Sequence, residues 1–188
     1  GHDAIFVSKC AINGGADQLG VATLCEGITL RNAGINKPIL VLGNIYSKKD
    51  FLTCFHFDLM PTISSLRECL ICNNIGEKFH KKFALHLKVD TGMSRLGFEL
   101  NEFVHQFQNI QSCENILIKG IYSHLASADE ENSLKKNSLT QIQKNKFQEL
   151  LKEIKISQYP EITTHLANSA GTLLTQDLHF DMVRVGLS

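Results

Sequence analysis

Short runs of strand-forming residues alternate with longer amphipathic segments along this 188-residue chain, and this alternation limits its fold more than any other feature. Helical patterns such as "CEGITLRNAG", "SSLRECLICNNIGEKF" and "NEFVHQFQNIQ" separate the strand-like runs. A strand followed by a helix, repeated, favours parallel strands joined by right-handed crossovers. We predict strands at 19–23, 38–43, 58–63, 83–90, 116–125, 162–168 and 180–186.

The number of predicted strands indicates which α/β fold this is. The pattern "DAIFVSKCAING" precedes the first strand as a helix without a strand of its own. About seven parallel strands plus one absent first strand predict an incomplete (β/α)₈ barrel of the TIM type, with a doubly wound open sheet as the alternative. The polar segment 129–147 keeps helical spacing of its apolar residues and continues into "QELLKEI". We therefore predict a long surface helix there, and a single domain over residues 1–188.

Charge and composition exclude several classes of protein. Nineteen basic residues balance nineteen acidic ones, which does not favour nucleic acid as a partner. No apolar run reaches the roughly 18 residues of a membrane span. The Cys69-x-x-Cys72 spacing has no second pair to complete a zinc site, so we expect buried helical thiols, no metal and a reducing cytoplasm. The chain starts at "GHDAIF" without a methionine, and we expect it to be a fragment.

Polar side chains collect near the C-terminal ends of the predicted strands. Side chains alternate across a strand, so Lys88 and Asp90 share one face of "FALHLKVD", and Tyr122 and His124 share one face of "KGIYSHL". Arg184 lies opposite the valines of "FDMVRVG". Catalysis in an α/β barrel takes place at the C-terminal ends of the strands. Since buried polar groups are costly unless they bind one another or a ligand, the pattern predicts a site at this end.

Five motifs carry a resemblance to a known family. In order they are "LGVATLCEGITLRNAGINKPILVLG", "HLKVDTGMSRLGFE", "GIYSHLASADE", "HLANSAG" and "MVRVGLS". Their order and spacing resemble the barrel domain of bacterial alanine racemase over essentially the whole chain. The resemblance implies a cytoplasmic enzyme that uses pyridoxal 5'-phosphate, works as a homodimer, and completes each active site with the C-terminal β domain of its partner subunit.

The resemblance also implies roles for residues around the cofactor ring and the substrate. Arg95 resembles the arginine that contacts the cofactor's phenolic oxygen and the substrate carboxylate, for which its planar fork is suited. Lys88 resembles a lysine that is carbamylated in many members of the family and holds that arginine in place. His124 matches the histidine packed against the ring. His165 and Arg184 match a supporting pair in which the arginine faces the pyridine nitrogen and weakens the ring as an electron sink.

A second group of residues would hold the phosphate or line the ring. By resemblance, Asn168 and Ser169 line the cofactor, with Ser169 at the phosphate. Gly186 and Leu187 would offer backbone N–H groups to the same phosphate, as loops of α/β barrels commonly do. Leu42 would line the ring.

The chain departs from the family pattern at both ends. The family's Schiff-base lysine lies on a strand upstream of the position where "GHD" begins, and its second catalytic base lies in the C-terminal β domain. Racemisation needs an acid/base group on each face of the substrate. We therefore expect the 188 residues alone to be inactive and the longer parent protein to interconvert L-alanine and D-alanine for peptidoglycan precursors. The alternatives are a broad-specificity, serine or lysine racemase, and a non-catalytic barrel protein that binds pyridoxal phosphate.

Overall fold

Helices and strands alternate throughout the part of the chain that the structure describes, residues 2–186 of a computed structural model. The strands are β1 (Leu19–Val21), β2 (Ile39–Val41), β3 (Met60–Ile63), β4 (Phe83–Lys88), β5 (Ile116–Tyr122) and β6 (Thr163–His165). The helices are α1 (Ala4–Asn13), α2 (Leu24–Asn32), α3 (Lys48–His56), α4 (Leu66–Phe79), α5 (Leu100–Gln111), α6 (Leu139–Glu153) and α7 (Ser169–Leu174). Two short 3₁₀ turns lie at Ile156–Gln158 and Gln176–Leu178.

The order of the strands in the sheet identifies the fold class. It is β1-β2-β3-β4-β5-β6, so each strand lies beside its neighbours in the chain. The pairs β1–β2, β2–β3 and β5–β6 are parallel. A doubly wound sheet reverses its strand order at a switch point, whereas a (β/α)₈ barrel keeps chain order. The predicted class, an α/β fold of the incomplete TIM-barrel type, is confirmed.

The strands are shorter than the sequence pattern predicted, and the one predicted at 180–186 is not formed among the described residues. In that segment the Asp181 N–H donates to the Thr164 carbonyl at 3.0 Å and the Arg184 N–H to the Ala167 carbonyl at 3.0 Å. These donors are three residues apart, whereas a regular ladder repeats every two residues. The segment therefore follows β6 without extending the sheet.

The described chain divides into two compact units. The first contains residues 2–63, 67–86 and 114–117, and the second contains 64–66, 87–113 and 118–186. In the first unit, β2 is buried along its whole length, with Ile39, Leu40 and Val41 no more than 1% exposed. Burial on both faces is the usual state of a parallel strand covered by helices. It explains the continuous apolar run "PILVL".

The second unit has an aromatic core beneath its helices. On α5, Phe103, Phe107 and Ile110 follow helical spacing and are all buried. The Phe98 ring packs edge-on against Phe103 at a centroid distance of 5.2 Å. This core supports the turn that carries the "DTGMSRLGF" motif.

Local signals account for where the helices begin. Thr23 and Glu26 form a reciprocal capping box at the start of α2. At α6, Ser138 accepts a hydrogen bond from the Gln141 N–H, and the helix begins only at Leu139. Most of the residues between 129 and 138 form turns, so the long helix predicted from residue 129 has a later start. Several polar residues there prefer turn and cap positions over helix interiors.

Three further features concern burial and composition. Cys69 and Cys72 are buried thiols on α4, as expected from the sequence. Lys9 is exposed on α1. Within residues 2–186 no helix has the length and apolar character that a bilayer span requires.

Candidate functional site

Polar side chains of the second unit project from the C-terminal ends of three strands and from the segment after residue 181. Lys88 is the last residue of β4, His124 follows β5 by two residues, and Asn168 follows β6 by three. This is the end at which the sequence predicted a site.

Arg184 is the centre of this cluster. Its Nη1 lies 2.7 Å from His165 Nδ1, and its Nη2 lies 3.3 Å from His124 Nδ1. The same Nη2 donates to the Ser123 carbonyl at 2.8 Å and to the Leu166 carbonyl at 3.0 Å. Burial is the main cause that lowers the pKa of Arg184, to about 10, so the guanidinium remains charged at neutral pH. The sequence-predicted pair His165–Arg184 is thus in direct contact.

The contacts of Arg184 determine the protonation of both imidazoles. A guanidinium can only donate hydrogen bonds, so Nδ1 of His165 and Nδ1 of His124 must each accept. Each ring therefore carries its proton on Nε2 and is neutral. Burial, followed by the nearby charges of Arg184 and Lys88, lowers the pKa of His124 to about 4, which agrees with this assignment.

The Tyr122 ring contacts His165, Arg184 and Lys88. Its ring stacks on His165 at a centroid distance of 4.6 Å and an angle of 6°. Arg184 Cζ lies 5.1 Å from the Tyr122 ring centroid and Lys88 Nζ lies 5.5 Å from it. Cations over an aromatic face are stabilised by the ring quadrupole. Strand alternation predicts that Tyr122 shares a face with His124, but no sequence motif indicates these ring contacts.

Lys88 is buried among positive charges. It is 4% exposed, and its pKa is lowered to about 8, mainly by burial and then by the charges of Arg95 and Arg184. The nearby Asp90 carboxylate raises the pKa only in part. Its Oδ1 instead accepts from the N–H groups of Gly92 at 2.8 Å and Ser94 at 3.1 Å. Within the described residues, Lys88 and Asp90 therefore do not form an ion pair.

The turn that presents Arg95 is built by Asp90 and two unusual backbone positions. Ser94 has φ 57° and Gly97 has φ 139°. A Cβ on Gly97 would lie 2.7 Å from the backbone nitrogen of Asp90, so only glycine fits there. The Phe98 N–H donates to the Lys88 carbonyl at 2.7 Å and closes the turn. Arg95 itself is exposed at the tip.

A second group of predicted residues meets at the start of α7. Asn168 caps this helix, with its Oδ1 accepting from the Gly171 N–H at 2.9 Å. Ser169 is 5% exposed, and its Oγ accepts from the Gly186 N–H at 2.9 Å. Asn168, Ser169 and Gly186 are therefore neighbours, as the resemblance implied. Leu187 lies outside the described residues, and Leu42 directly follows β2 in the first unit.

Two supporting contacts were not predicted from the sequence. The Asp181 carboxylate accepts from the Thr164 N–H at 2.8 Å and from its hydroxyl at 2.6 Å, which anchors the segment that leads to Arg184. On α6, Gln143 is fully buried and bonds to the loop that contains His124. The position of Gln143 on the buried stripe with Phe147 and Leu150 was the available signal.

The residues of this unit are suited to an anionic cofactor that also carries an aromatic ring. The charges of Arg95 and Arg184 both act on Lys88, and neither of the two ion pairs described within residues 2–186 includes any of these three residues. Ser169 and Gly186 add a hydroxyl and a backbone N–H, which suit a phosphate. Pyridoxal phosphate combines a phosphate, a phenolic oxygen and a pyridine ring, so the donor set present here fits it.

Comparison with known proteins identifies the family to which this arrangement corresponds. A family model described as "Alanine racemase, N-terminal domain" matches residues 1–188. Alanine racemase of Prochlorococcus marinus is 52% identical over the whole chain and 48% of its own length, and that of Synechocystis sp. is 41% identical over the whole chain and 49% of its length. The chain thus spans about half the length of the curated relatives it matches.

Solved structures show the same similarity in three dimensions. Alanine racemase of Clostridium difficile matches with a TM-score of 0.90 at 33% identity, covering 100% of this chain and 48% of that one. Alanine racemase of Bacillus anthracis with bound L-Ala-P gives 0.83 at 32% identity, covering 100% and 47%. That of Bartonella henselae, with covalently bound pyridoxal phosphate, gives 0.82 at 27% identity, covering 98% and 51%.

Proposed function

Since the chain belongs to the family of alanine racemase N-terminal domains, we propose that the longer protein of which it forms part interconverts L-alanine and D-alanine with pyridoxal phosphate. It acts in the cytoplasm as a homodimer and supplies D-alanine for peptidoglycan precursors. The observation that carries the proposal is the contact of Arg184 with the neutral imidazoles of His165 and His124. A guanidinium held by two imidazoles and two carbonyls offers a positive charge at neutral pH, and none of its hydrogen-bond partners among the described residues is an acid.

When bound, pyridoxal phosphate supplies an aromatic ring that withdraws electrons from the substrate α-carbon and stabilises negative charge there. In our proposal Arg184 faces the pyridine nitrogen. Its positive charge opposes protonation of that nitrogen and so limits the electron withdrawal. This suits a racemase, which needs carbanion character at the α-carbon for only a short time. Ser169 and the Gly186 N–H hold the phosphate, together with Asn168 at the start of α7.

Arg95 and Lys88 act on the substrate side. The exposed Arg95 guanidinium binds the substrate carboxylate and the phenolic oxygen, because its fork can donate two parallel hydrogen bonds. Lys88 positions Arg95 from the end of β4, and as a carbamate it would be an anion beside two arginines. The groups that move the α-proton are expected outside these residues, in the parts of the longer relatives that the chain does not cover.

Racemisation by the full-length protein tests the proposal. Purified with pyridoxal phosphate, it should convert L-alanine to D-alanine, as measured by chiral chromatography. Arg95→Ala should raise the KM for alanine and lower kcat, whereas the exposed Arg67→Ala on α4 should leave both unchanged. An absence of racemisation, with cofactor bound, would refute the proposal.

Two further measurements separate this function from its alternatives. A non-catalytic cofactor carrier would show no change in its visible spectrum when D-alanine is added. A racemase of broader specificity would turn over serine or lysine with a kcat/KM within about tenfold of that for alanine, a difference of about 1.4 kcal/mol. Light scattering should give the mass of a dimer.

A further inference from the structure

Gln143 is a large polar residue on the buried face of α6, which also carries the smaller Thr140 and the apolar Phe147, Leu150 and Leu151. It lies four residues before Phe147, and both side chains are 0% exposed. The surface of α6 offers ample exposure for a glutamine, and a buried amide is costly unless all its groups are bonded. The burial of Gln143 therefore requires an explanation in terms of its partners.

All the described partners of the Gln143 amide lie at the C-terminal ends of β4 and β5. Oε1 accepts from the Ala126 N–H at 2.9 Å. Nε2 donates to the His124 carbonyl at 2.8 Å and to Thr91 Oγ1 at 3.2 Å. Thr91 Oγ1 in turn lies 2.8 Å from Ser123 Oγ. One side chain thus satisfies the backbone on both sides of Leu125.

We propose that Gln143 is a positioning residue that holds the loop carrying His124 so that the imidazole stays against Arg184. The inference rests on the proposed function only for its catalytic consequence. The loop has no strand to hold it, because β5 ends at Tyr122. The His124 carbonyl and the Ala126 N–H would otherwise need water as their partner.

The groups around His124 explain what its release would change. The imidazole is faced by Arg184 from the C-terminal segment, by Lys88 from β4 and by Arg95 from the following turn, all positively charged. Among the described residues, the partners of the Gln143 amide are uncharged, namely two backbone atoms and the Thr91 hydroxyl. A loop that moves outward takes His124 into water and away from these cations, so its pKa rises towards the ordinary value.

Nuclear magnetic resonance of the full-length protein, labelled with ¹³C-histidine and free of cofactor, tests the proposal directly. The His124 signal is assigned by its absence in His124→Asn. In the wild type this imidazole should remain neutral down to about pH 5, well above its pKa of about 4. In Gln143→Met, which keeps the volume but loses all three hydrogen bonds, it should titrate at least one pH unit higher. Gln148→Met, a half-buried glutamine on the same helix, is the matched control.

Steady-state kinetics with pyridoxal phosphate tests the catalytic consequence. Gln143→Met should lower kcat by about tenfold to a hundredfold, the usual effect of a slightly misplaced reacting group. Leu150→Val, which shortens a buried side chain on α6, should lower the melting temperature by a similar amount yet leave kcat within twofold.

Gln143→Glu provides a readout that a purely structural role would not give. A protonated carboxyl group can still accept from the Ala126 N–H and donate to the His124 carbonyl, whereas the ionised form cannot donate. Burial raises the pKa of such a group, so the activity of this variant relative to wild type should increase as the pH falls from about 9 to 6. The relative activity of Gln143→Met should not depend on pH in this range.

An unchanged titration of His124 in Gln143→Met would overturn the proposal, as would kinetic losses that follow the melting temperature alone in all variants. If the wild type shows no racemisation, the proposed function fails, but the titration still decides whether Gln143 holds His124. If Gln143→Met does not fold, the same titration is carried out with Gln143→Glu.

Discussion

Lys88 should react with carbon dioxide near neutral pH, and the structure indicates the pH range. Carbon dioxide combines with the neutral amine, releasing a proton and leaving a carbamate anion. The pKa of Lys88 is lowered from 10.5 to about 8. At pH 7 about a tenth of the Lys88 amines are therefore neutral, roughly 300 times the fraction for an ordinary lysine. The anion produced lies near Arg95 and Arg184, so it replaces a repulsion by an attraction.

The assay is ¹³C nuclear magnetic resonance of the full-length protein in ¹³C-bicarbonate from pH 6 to 9. A carbamate signal should be present at pH 7.5 and absent from Lys88→Met, which keeps the length of the side chain without the amine. Lys119→Met removes an exposed lysine of β5 and should leave the signal unchanged. The reasoning is refuted if no carbamate forms below pH 9, or if the signal persists in Lys88→Met.

Three further predictions concern the stability of the full-length protein. Gly97→Ala should lower the free energy of unfolding by about 2–6 kcal/mol, because the strain of a positive φ adds to the close contact of the new Cβ with the Asp90 nitrogen. Gly92→Ala should lower it by about 1–3 kcal/mol, because Gly92 has a similar φ but its neighbours are side chains at 3.5 Å or more. Urea unfolding measures both, and equal losses would contradict the packing argument. Thr164→Val removes the hydroxyl hydrogen bond to the Asp181 carboxylate and should lower the free energy of unfolding by about 1–3 kcal/mol. It should also lower kcat, because this bond anchors the segment that carries Arg184; an unchanged kcat would show that the contact does not position Arg184. In a buffer without carbon dioxide, Lys88 should make stability rise between about pH 8 and 10.5, because the unfolded chain binds the proton that the folded chain has lost; Lys88→Met should abolish this slope.

The local pattern of the sequence was sufficient to predict most of the elements. Apolar spacing located α2, α4 and α5 to within about two residues, because the buried stripe of a helix is a property of the chain itself. The alternation of strand and helix was enough to predict parallel strands in chain order. The alternation of side chains along the strand predicted that Lys88, at the end of β4, points into the fold, and Lys88 is 4% exposed.

Where the elements end depended on partners far away in the chain. The segment 180–186 has the alternation of a strand, yet Asp181 bonds to Thr164 and Arg184 bonds to the imidazoles, so the backbone leaves the regular ladder. The polar run before α6 has helical spacing, yet the helix begins only at Leu139, where the hydroxyl of Ser138 caps it. Pattern alone does not indicate which of two locally acceptable conformations the distant groups favour.

The sequence by itself was sufficient to predict which residues belong to the candidate site, because the motifs place Lys88, His124, Asn168 and Ser169 at strand ends that parallel topology brings to one edge. Only the tertiary structure decided their chemical state. The proton positions on the imidazoles follow from the donors of Arg184, a residue about 60 positions from His124, and the lowered pKa of Lys88 follows from burial. Charge states depend on solvent exclusion and on distances between groups remote in the chain, and these exist only once the chain has folded.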